Sequence, residues 1–147
     1  MIYIMQLSKV TEPIREFKTN RQFQECAKWW KKKLLLESWL ITFEPRKEEL
    51  HKDDGSIIDG YCQFIFENKE AKIVISDYNI EDTFLKHCSE LTLVHELLHL
   101  KTEYLPQTYA SEKEEDIVDL LLHQSQETMA KTLIMAKYNI EYEWFLK

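Results

Sequence analysis

The sequence predicts an α+β domain, and three observations lead to that expectation. Apolar residues recur at helical spacing in three long segments. Between the first two of these segments lie shorter runs rich in aromatic and β-branched residues. Glycine is rare, with two in 147 residues, which disfavours an all-β fold with many tight turns. The length suits one domain, and we expect residues 1–147 to form it.

The first predicted helix covers about Asn20–Glu37. Thr19 and Gln22 have the spacing of a capping box, and apolar residues then follow one helical face. Three strands are predicted next, at Trp39–Glu44, Tyr61–Glu67 and Lys72–Asp77. Because only Asn68–Ala71 separates the last two, they should pair as an antiparallel hairpin in a small, mainly antiparallel sheet.

Two further helices follow the strands. The helical period resumes over about Glu81–Lys101, with an apolar arc wide enough for a largely buried helix. The proline-containing segment Thr102–Ala110 is predicted to be a loop. Ser111 and Glu114 again have capping-box spacing and begin the last helix, which precedes a C-terminal tail at residues 138–147.

Composition limits the partners and the location of the protein. The formal charge of −7 argues against nucleic-acid binding, and the basic run Lys31–Lys33 is expected to be a solvated helix face. No signal peptide is evident, and no apolar run approaches the roughly 18 residues that span a membrane. Three cysteines without CxxC spacing fit free buried thiols, so we expect a cytoplasmic protein without membrane partners.

The pentapeptide His95-Glu96-Leu97-Leu98-His99 lies within the second predicted helix. Residues i and i+4 lie one turn apart on the same helix face, so both imidazoles can bind one Zn²⁺ at about 2.1 Å. Glu96 lies beside that face, where it can take a proton from a water at the metal. The spacing therefore predicts a zinc site with Glu96 as general base.

A catalytic zinc site needs a third protein ligand. The start of the last predicted helix offers Glu112, Glu114, Glu115 and Asp116. Glu114 is placed to cap that helix. In contrast, Glu115-x-x-x-Asp119 puts a second carboxylate one turn on, where it could accept the free ring N–H of a ligand histidine. We expect Glu115 to be the third ligand, with Glu114 as the alternative.

HELLH followed by Glu115-x-x-x-Asp119 resembles the gluzincin metallopeptidases. The short form is similar to the minimal gluzincins and to small metallopeptidase-like proteins of phages and mobile elements. The longer metzincin motif is excluded, since Thr102 and Leu105 replace its glycine and third histidine. The proteases that cleave phage repressors share HExxH and a later glutamate, and they stay an open alternative.

The resemblance implies a zincin-like fold and a zinc-dependent peptidase that acts on a peptide or protein substrate. It assigns Glu96 the role of general base and makes Lys72–Asp77 an edge strand that could pair with an extended substrate. Tyr104, Tyr109 and His123 are candidates to stabilise the oxyanion, although each is expected more often to be a surface or packing residue.

A second hypothesis is a catalytically silent or latent zincin-like module with a regulatory or interaction role. Its basis is the aromatic C-terminal tail, which could lie in the cleft. Docking of the tail on the first helix is the simpler expectation. His51 and His87 have no partner at ligand spacing and are expected to be ordinary surface or core residues.

Overall fold

The computed structural model describes residues 11–78, 86–102 and 112–146, with the backbone alone for residues 112–116 and 118. The helices are α1 (Asn20–Lys33), α2 (Ser89–Thr102) and α3 (Glu112–Tyr138), followed by a 3-10 helix (Tyr142–Leu146). The strands are β1 (Leu40–Arg46), β2 (Leu50–His51), β3 (Ile57–Ile58), β4 (Gly60–Ile65) and β5 (Glu70–Ser76). This arrangement confirms the predicted α+β class.

The main sheet has the strand order β1-β5-β4. The predicted hairpin of β4 and β5 is confirmed. The mainly antiparallel arrangement is wrong for β1, which pairs parallel with β5 because the chain crosses back before β5 begins. The prediction that Lys72–Asp77 is an edge strand is also wrong. Strand β5 is central, with Ile73, Val74 and Ile75 fully buried, as expected of a continuous apolar run in the middle of a sheet.

A second, two-stranded sheet lies between β1 and β4 in the chain. Strands β2 and β3 pair antiparallel, with Leu50 opposite Ile58. Asp53, Asp54 and Gly55, residue types that favour turns, lie at its tip, where Gly55 has a φ of 86° that glycine adopts without steric cost. The turn was predictable from its residues, whereas strands of two residues are too short to show a period.

Helix α1 begins at the predicted cap and ends early. The hydroxyl of Thr19 accepts a hydrogen bond from the backbone N–H of Gln22 at 3.1 Å. The helix ends at Lys33 rather than Glu37. There Leu35 takes a left-handed conformation, with a φ of 57°, and the next residue donates its backbone N–H back to the last turn. This Schellman turn buries Leu36 in the core.

Helix α2 begins at Ser89, later than the predicted Glu81. Residues 86–88 are not helical, and residues 79–85 lie outside the described ranges. The backbone N–H groups of Ser89 and Glu90 donate to the carbonyls of Arg15 and Ile14, at 3.0 Å each. Because distant backbone groups satisfy the free N–H groups of its first turn, the local sequence does not mark where this helix starts.

Glu90 joins three helices and the segment before α1. Its carboxylate is fully buried and accepts hydrogen bonds from Trp30 Nε1 at 2.8 Å, Lys137 Nζ at 2.6 Å and Tyr138 OH at 2.7 Å. The backbone N–H of Ile14 donates to it as well, at 3.0 Å. A buried charge is tolerated when it is paired and hydrogen-bonded in this way.

The structure places two of the three cysteines in the buried positions that the sequence predicted. Cys26 and Cys88 are buried, Cys62 is half-buried, and none of the three forms a disulfide bond. Burial raises the pKa of Cys88 to about 12 and that of Cys26 far above its ordinary value, so neither is a reactive thiolate near neutral pH.

Among the described helices, none combines the length and apolar character needed to cross a lipid bilayer.

The Glu90 cluster yields a stability prediction. Glu90→Gln removes the negative charge that pairs with Lys137. It also places an amide N–H₂ group among side chains that themselves donate hydrogen bonds. We expect the free energy of unfolding to fall by about 3–5 kcal/mol, the usual cost of breaking a buried ion pair, as measured by urea denaturation. The control is Glu25→Gln, since Glu25 pairs with Arg21 at an exposed surface position. An unchanged urea midpoint for Glu90→Gln would contradict this account.

Candidate metal centre

His95 and His99 lie one turn apart on α2, as their spacing requires. Their ring centroids are 5.1 Å apart. His95 is buried, with 6% of its surface exposed, and His99 is half-buried. Both rings line the same cavity, so the helix presents two imidazoles to one space.

Helix α3 adds a third imidazole, that of His123. Its ring centroid lies 4.7 Å from that of His95 and 6.2 Å from that of His99. One nitrogen from each of the three rings lies within 4.8 Å of the others. Nitrogens bound tetrahedrally to one zinc ion at about 2.1 Å are roughly 3.4 Å apart. Small side-chain rotations would therefore bring the three nitrogens to binding distance.

A buried glutamine sets how α3 faces α2. Gln126 is buried and donates its amide to the hydroxyl of Thr102 at 2.6 Å. That hydroxyl donates in turn to the carbonyl of Leu98 at 2.8 Å. Because His123 and Glu127 are one turn apart on α3, this anchor between them directs both toward the histidines of α2.

Glu127 contacts the ring of His95. Its Oε2 lies 2.7 Å from Nδ1 of His95, the distance of a charge-assisted contact between a carboxylate and an imidazole. This contact is the largest cause that holds the pKa of Glu127 below its usual range. A carboxylate at Nδ1 keeps the proton there and leaves Nε2 as the nitrogen that can bind a metal.

Glu96 is buried beside these rings, with 5% of its surface exposed. Its Oε2 lies 3.7 Å from Nε2 of His99. Strand β4 packs closely here because Gly60 has no side chain. A Cβ at that position would lie 2.7 Å from the carbonyl oxygen of Val74 and 3.4 Å from Cγ of Glu96. The glycine therefore lets the sheet enclose Glu96.

The three rings open into a cavity of about 780 Å³. One wall is the cavity-facing side of α2, from the segment just before the helix to His99. The opposite wall is the chain from β3 into β4, and α3 closes one end. The lining residues are Lys52, Ile57, Ile58, Asp59, Gly60, Tyr61, Cys62, Lys86, His87, Cys88, Leu91, Thr92, His95, Glu96, His99, His123 and Glu127.

The carboxylate ligands that the sequence predicted are not among the side chains that the structure describes. The side chains of Glu115 and Glu114 lie outside the described part of the structure, so Glu115 stays a prediction. Asp119 is exposed and does not line the cavity. Its predicted contact with a histidine ring is made by Glu127. The sequence indicates His123 only as an oxyanion candidate, although His123-x-x-x-Glu127 has the same spacing as Glu115-x-x-x-Asp119.

The other oxyanion candidates, Tyr104 and Tyr109, lie outside the described residues. His51 is exposed on the small hairpin and lies 3.4 Å from a carboxylate oxygen of Glu49, as expected of a surface residue. His87 lines the cavity, which its sequence context did not predict.

The donor set fits a zinc ion. Three imidazoles suit zinc, and a site with three protein ligands and one side open to a cavity is typical of catalytic zinc. The carboxylate at Nδ1 of His95 supplies the supporting contact that ligand histidines usually have. The residues present can therefore hold a metal with a free position toward the cavity.

Comparisons of the chain with models of protein families, with curated proteins and with solved structures gave no significant match.

The contact between Glu127 and His95 predicts an effect on metal affinity. Glu127→Gln removes the carboxylate that orients the ring, and we expect zinc affinity to fall about 10- to 100-fold. Competition with a chromophoric chelator measures this affinity. Glu141→Gln, on an exposed position after α3, is the control and should bind zinc like the parent protein. Equal affinity for Glu127→Gln would show that the contact does not support a ligand.

A second metal measurement separates the two choices of third ligand. Glu115 precedes His123 by eight helical residues, about 12 Å along the axis, which is too far for both side chains to bind one ion. If His123 is the ligand, His123→Ala lowers zinc affinity by more than Glu127→Gln does, while Glu115→Gln and Glu114→Gln keep it. If instead Glu115→Gln or Glu114→Gln lowers zinc affinity most and His123→Ala keeps it, the third ligand is the carboxylate predicted from the sequence.

Proposed function

We propose that this chain is a zinc-dependent peptidase in which His95, His99 and His123 hold the metal and Glu96 is the general base. The observation that carries the proposal is the buried carboxylate of Glu96 beside three converging imidazoles at the wall of a large cavity. A separate base next to a metal position is the arrangement that metal-assisted hydrolysis needs.

Glu96 handles the proton in the proposed reaction. Zinc, when bound, would polarise the scissile carbonyl and lower the pKa of a water molecule toward 7. The Glu96 carboxylate takes a proton from the attacking water and passes it to the nitrogen of the leaving amine. Its burial near His99 keeps the carboxylate on the cavity side of α2, within reach of a substrate bound there.

An extended peptide suits the shape of the cavity. Strand β4 forms part of one wall, and it pairs with β5 on one side while no described strand pairs with its other side. An unpaired strand edge can bind a peptide through main-chain hydrogen bonds. This edge takes the role that the sequence had assigned to Lys72–Asp77.

The C-terminal tail does not support the latent alternative. Among the cavity-lining residues of the described chain, none comes from the tail. Phe145 is buried in the core, and the ring of Trp144 lies 3.7 Å under the guanidinium of Arg15. The described part of the tail therefore contacts the segment before α1 and is not among the residues that surround the three imidazoles.

The proposed role of Glu96 predicts a separation of binding from catalysis. Glu96→Gln keeps its size and should keep zinc, whereas peptide cleavage should fall about 10²- to 10⁴-fold because the general base is lost. The assay uses a pool of internally quenched decapeptides of random sequence, with cleavage sites identified by mass spectrometry. Metal content of both proteins is measured in the same samples.

Two results would contradict the proposal in different ways. Unchanged cleavage by Glu96→Gln would remove Glu96 from the reaction. Absence of cleavage by the zinc-loaded parent protein would favour a metal-binding module without peptidase activity. Glu67→Gln, on the exposed β4–β5 turn, is the matched control and should cleave like the parent protein.

A further inference from the structure

His87 lies at the opposite end of the cavity from the three imidazoles. It precedes α2 by two residues and lines the same cavity as His95 and His99. His95 follows Ser89 by six helical steps, about 9 Å along the axis, and His87 lies beyond Ser89. An extended peptide advances about 3.3 Å per residue, so the interval corresponds to three or four residues of substrate.

A chain of hydrogen bonds through buried Ser89 and Asp77 holds the ring of His87. Its Nε2 lies 2.7 Å from the hydroxyl of Ser89, and that hydroxyl donates to Oδ1 of Asp77 at 2.6 Å. Asp77 and Ser89 are both buried. The other carboxylate oxygen of Asp77 lies 2.6 Å from Nζ of Lys47, so the two side chains form an ion pair.

This chain decides the tautomer of His87. An ionised carboxylate only accepts hydrogen bonds, so the Ser89 hydroxyl must give its proton to Asp77. The Ser89 oxygen can then only accept from Nε2, which therefore carries the hydrogen. Burial, the largest cause, lowers the pKa of His87. In the neutral ring, Nδ1 is left as a hydrogen-bond acceptor, and it makes no hydrogen bond within the described residues.

We propose that His87 is a substrate-positioning residue whose Nδ1 accepts a hydrogen bond from a main-chain N–H of the bound peptide. The peptide lies extended between α2 and β4, and the N–H belongs to a residue three or four positions from the scissile bond. Every peptide bond offers this donor except one before proline. The contact therefore recognises the main chain of the substrate and its position in the cavity, and not a particular side chain. The proposal rests on the proposed peptidase function and adds a subsite to it.

The test compares His87→Ala with the parent protein on peptides of different length. For a cleaved decapeptide from the pool, we expect kcat/KM to fall about five- to tenfold, the effect of one hydrogen bond, with most of the change in KM. For the same peptide truncated to two residues on either side of the scissile bond, the two proteins should be equal. Equal values on the decapeptide would overturn the proposal.

An amide-to-ester scan of the decapeptide identifies the donor. Replacing one peptide N–H by an ester oxygen removes a single hydrogen-bond donor. At one position, three or four residues from the scissile bond, the ester should weaken binding to the parent protein as much as His87→Ala does. The same ester should cost nothing further in His87→Ala, because the two changes remove one interaction. Additive effects at every position would contradict the assigned contact.

Two variants separate this role from a structural one. His87→Asn places an amide oxygen near the position of Nδ1 and should recover part of the lost kcat/KM. His51→Ala, at an exposed histidine outside the cavity, should match the parent protein. Thermal unfolding and zinc content are measured for each variant, and His87→Ala should change neither. Loss of activity that follows a loss of zinc or of folded protein would count against the proposal.

Failure of the peptidase function is distinguishable from failure of this contact. Binding of the peptide pool to zinc-loaded Glu96→Gln is compared with binding to the double variant with His87→Ala. Weaker binding by the double variant without cleavage by the parent protein would retain the subsite and reject hydrolysis. Cleavage that His87→Ala leaves unchanged would retain hydrolysis and reject the subsite. If the parent protein does not cleave the pool and binding does not depend on His87, both proposals are rejected.

Discussion

The burial of helix α2 between the sheet and helices α1 and α3 is the constraint on which the other features depend. From Leu93 to Leu98 every residue of the helix is buried. Apolar burial at roughly 25 cal/mol per Å² is the main favourable term that holds such a helix. Because almost its whole circumference is covered, its rotation is fixed. The face with His95 and His99 can then only point into the cavity that the sheet leaves open.

Polar contacts at the N-terminal end of α2 fix its position along its own axis. Glu90 and Asp77 are buried carboxylates, and each is surrounded by donors from distant parts of the chain. Removing any partner would leave a buried charge without compensation, and hydrophobic packing does not offset that loss of folding free energy. Hydrogen bonds are directional, so these contacts fix the position of α2 along its axis more closely than apolar packing does. They therefore also fix the positions of His95 and His99 further along the helix.

The same contacts link the stability of the fold to the cavity. Ser89 is the first residue of α2, and its hydroxyl connects Asp77 to His87 at one end of the cavity. At the other end, Gln126 fixes α3 against Thr102, and Glu127 reaches His95. Each end of the cavity is thus held by a buried polar side chain, and the walls between them lie on α2 and on the chain from β3 into β4. A site held in this way keeps its geometry before a ligand arrives.

Much of the fold followed from local patterns. The period of apolar residues located all three helices, and the short separation of the β4 and β5 segments predicted their hairpin. The errors fall where distant contacts decide. Helix α2 starts at Ser89 because Ile14 and Arg15 cap it. Strand β1 is parallel to β5 because of the path of the intervening chain. Neither contact leaves a signal in the neighbouring residues.

By itself, the sequence determined that His95 and His99 share one helix face with Glu96 beside it, because i,i+4 geometry is a local property of the backbone. It could not determine which side chain of α3 meets them. Glu115-x-x-x-Asp119 and His123-x-x-x-Glu127 have the same spacing, and only the packing of α3 on α2 brings His123 and Glu127 to the rings of α2. The role of His87 likewise depends on Asp77, which lies in a different element of the chain. Helical periodicity is encoded within a few residues, whereas the choice among equivalent turns of a helix depends on how whole elements pack.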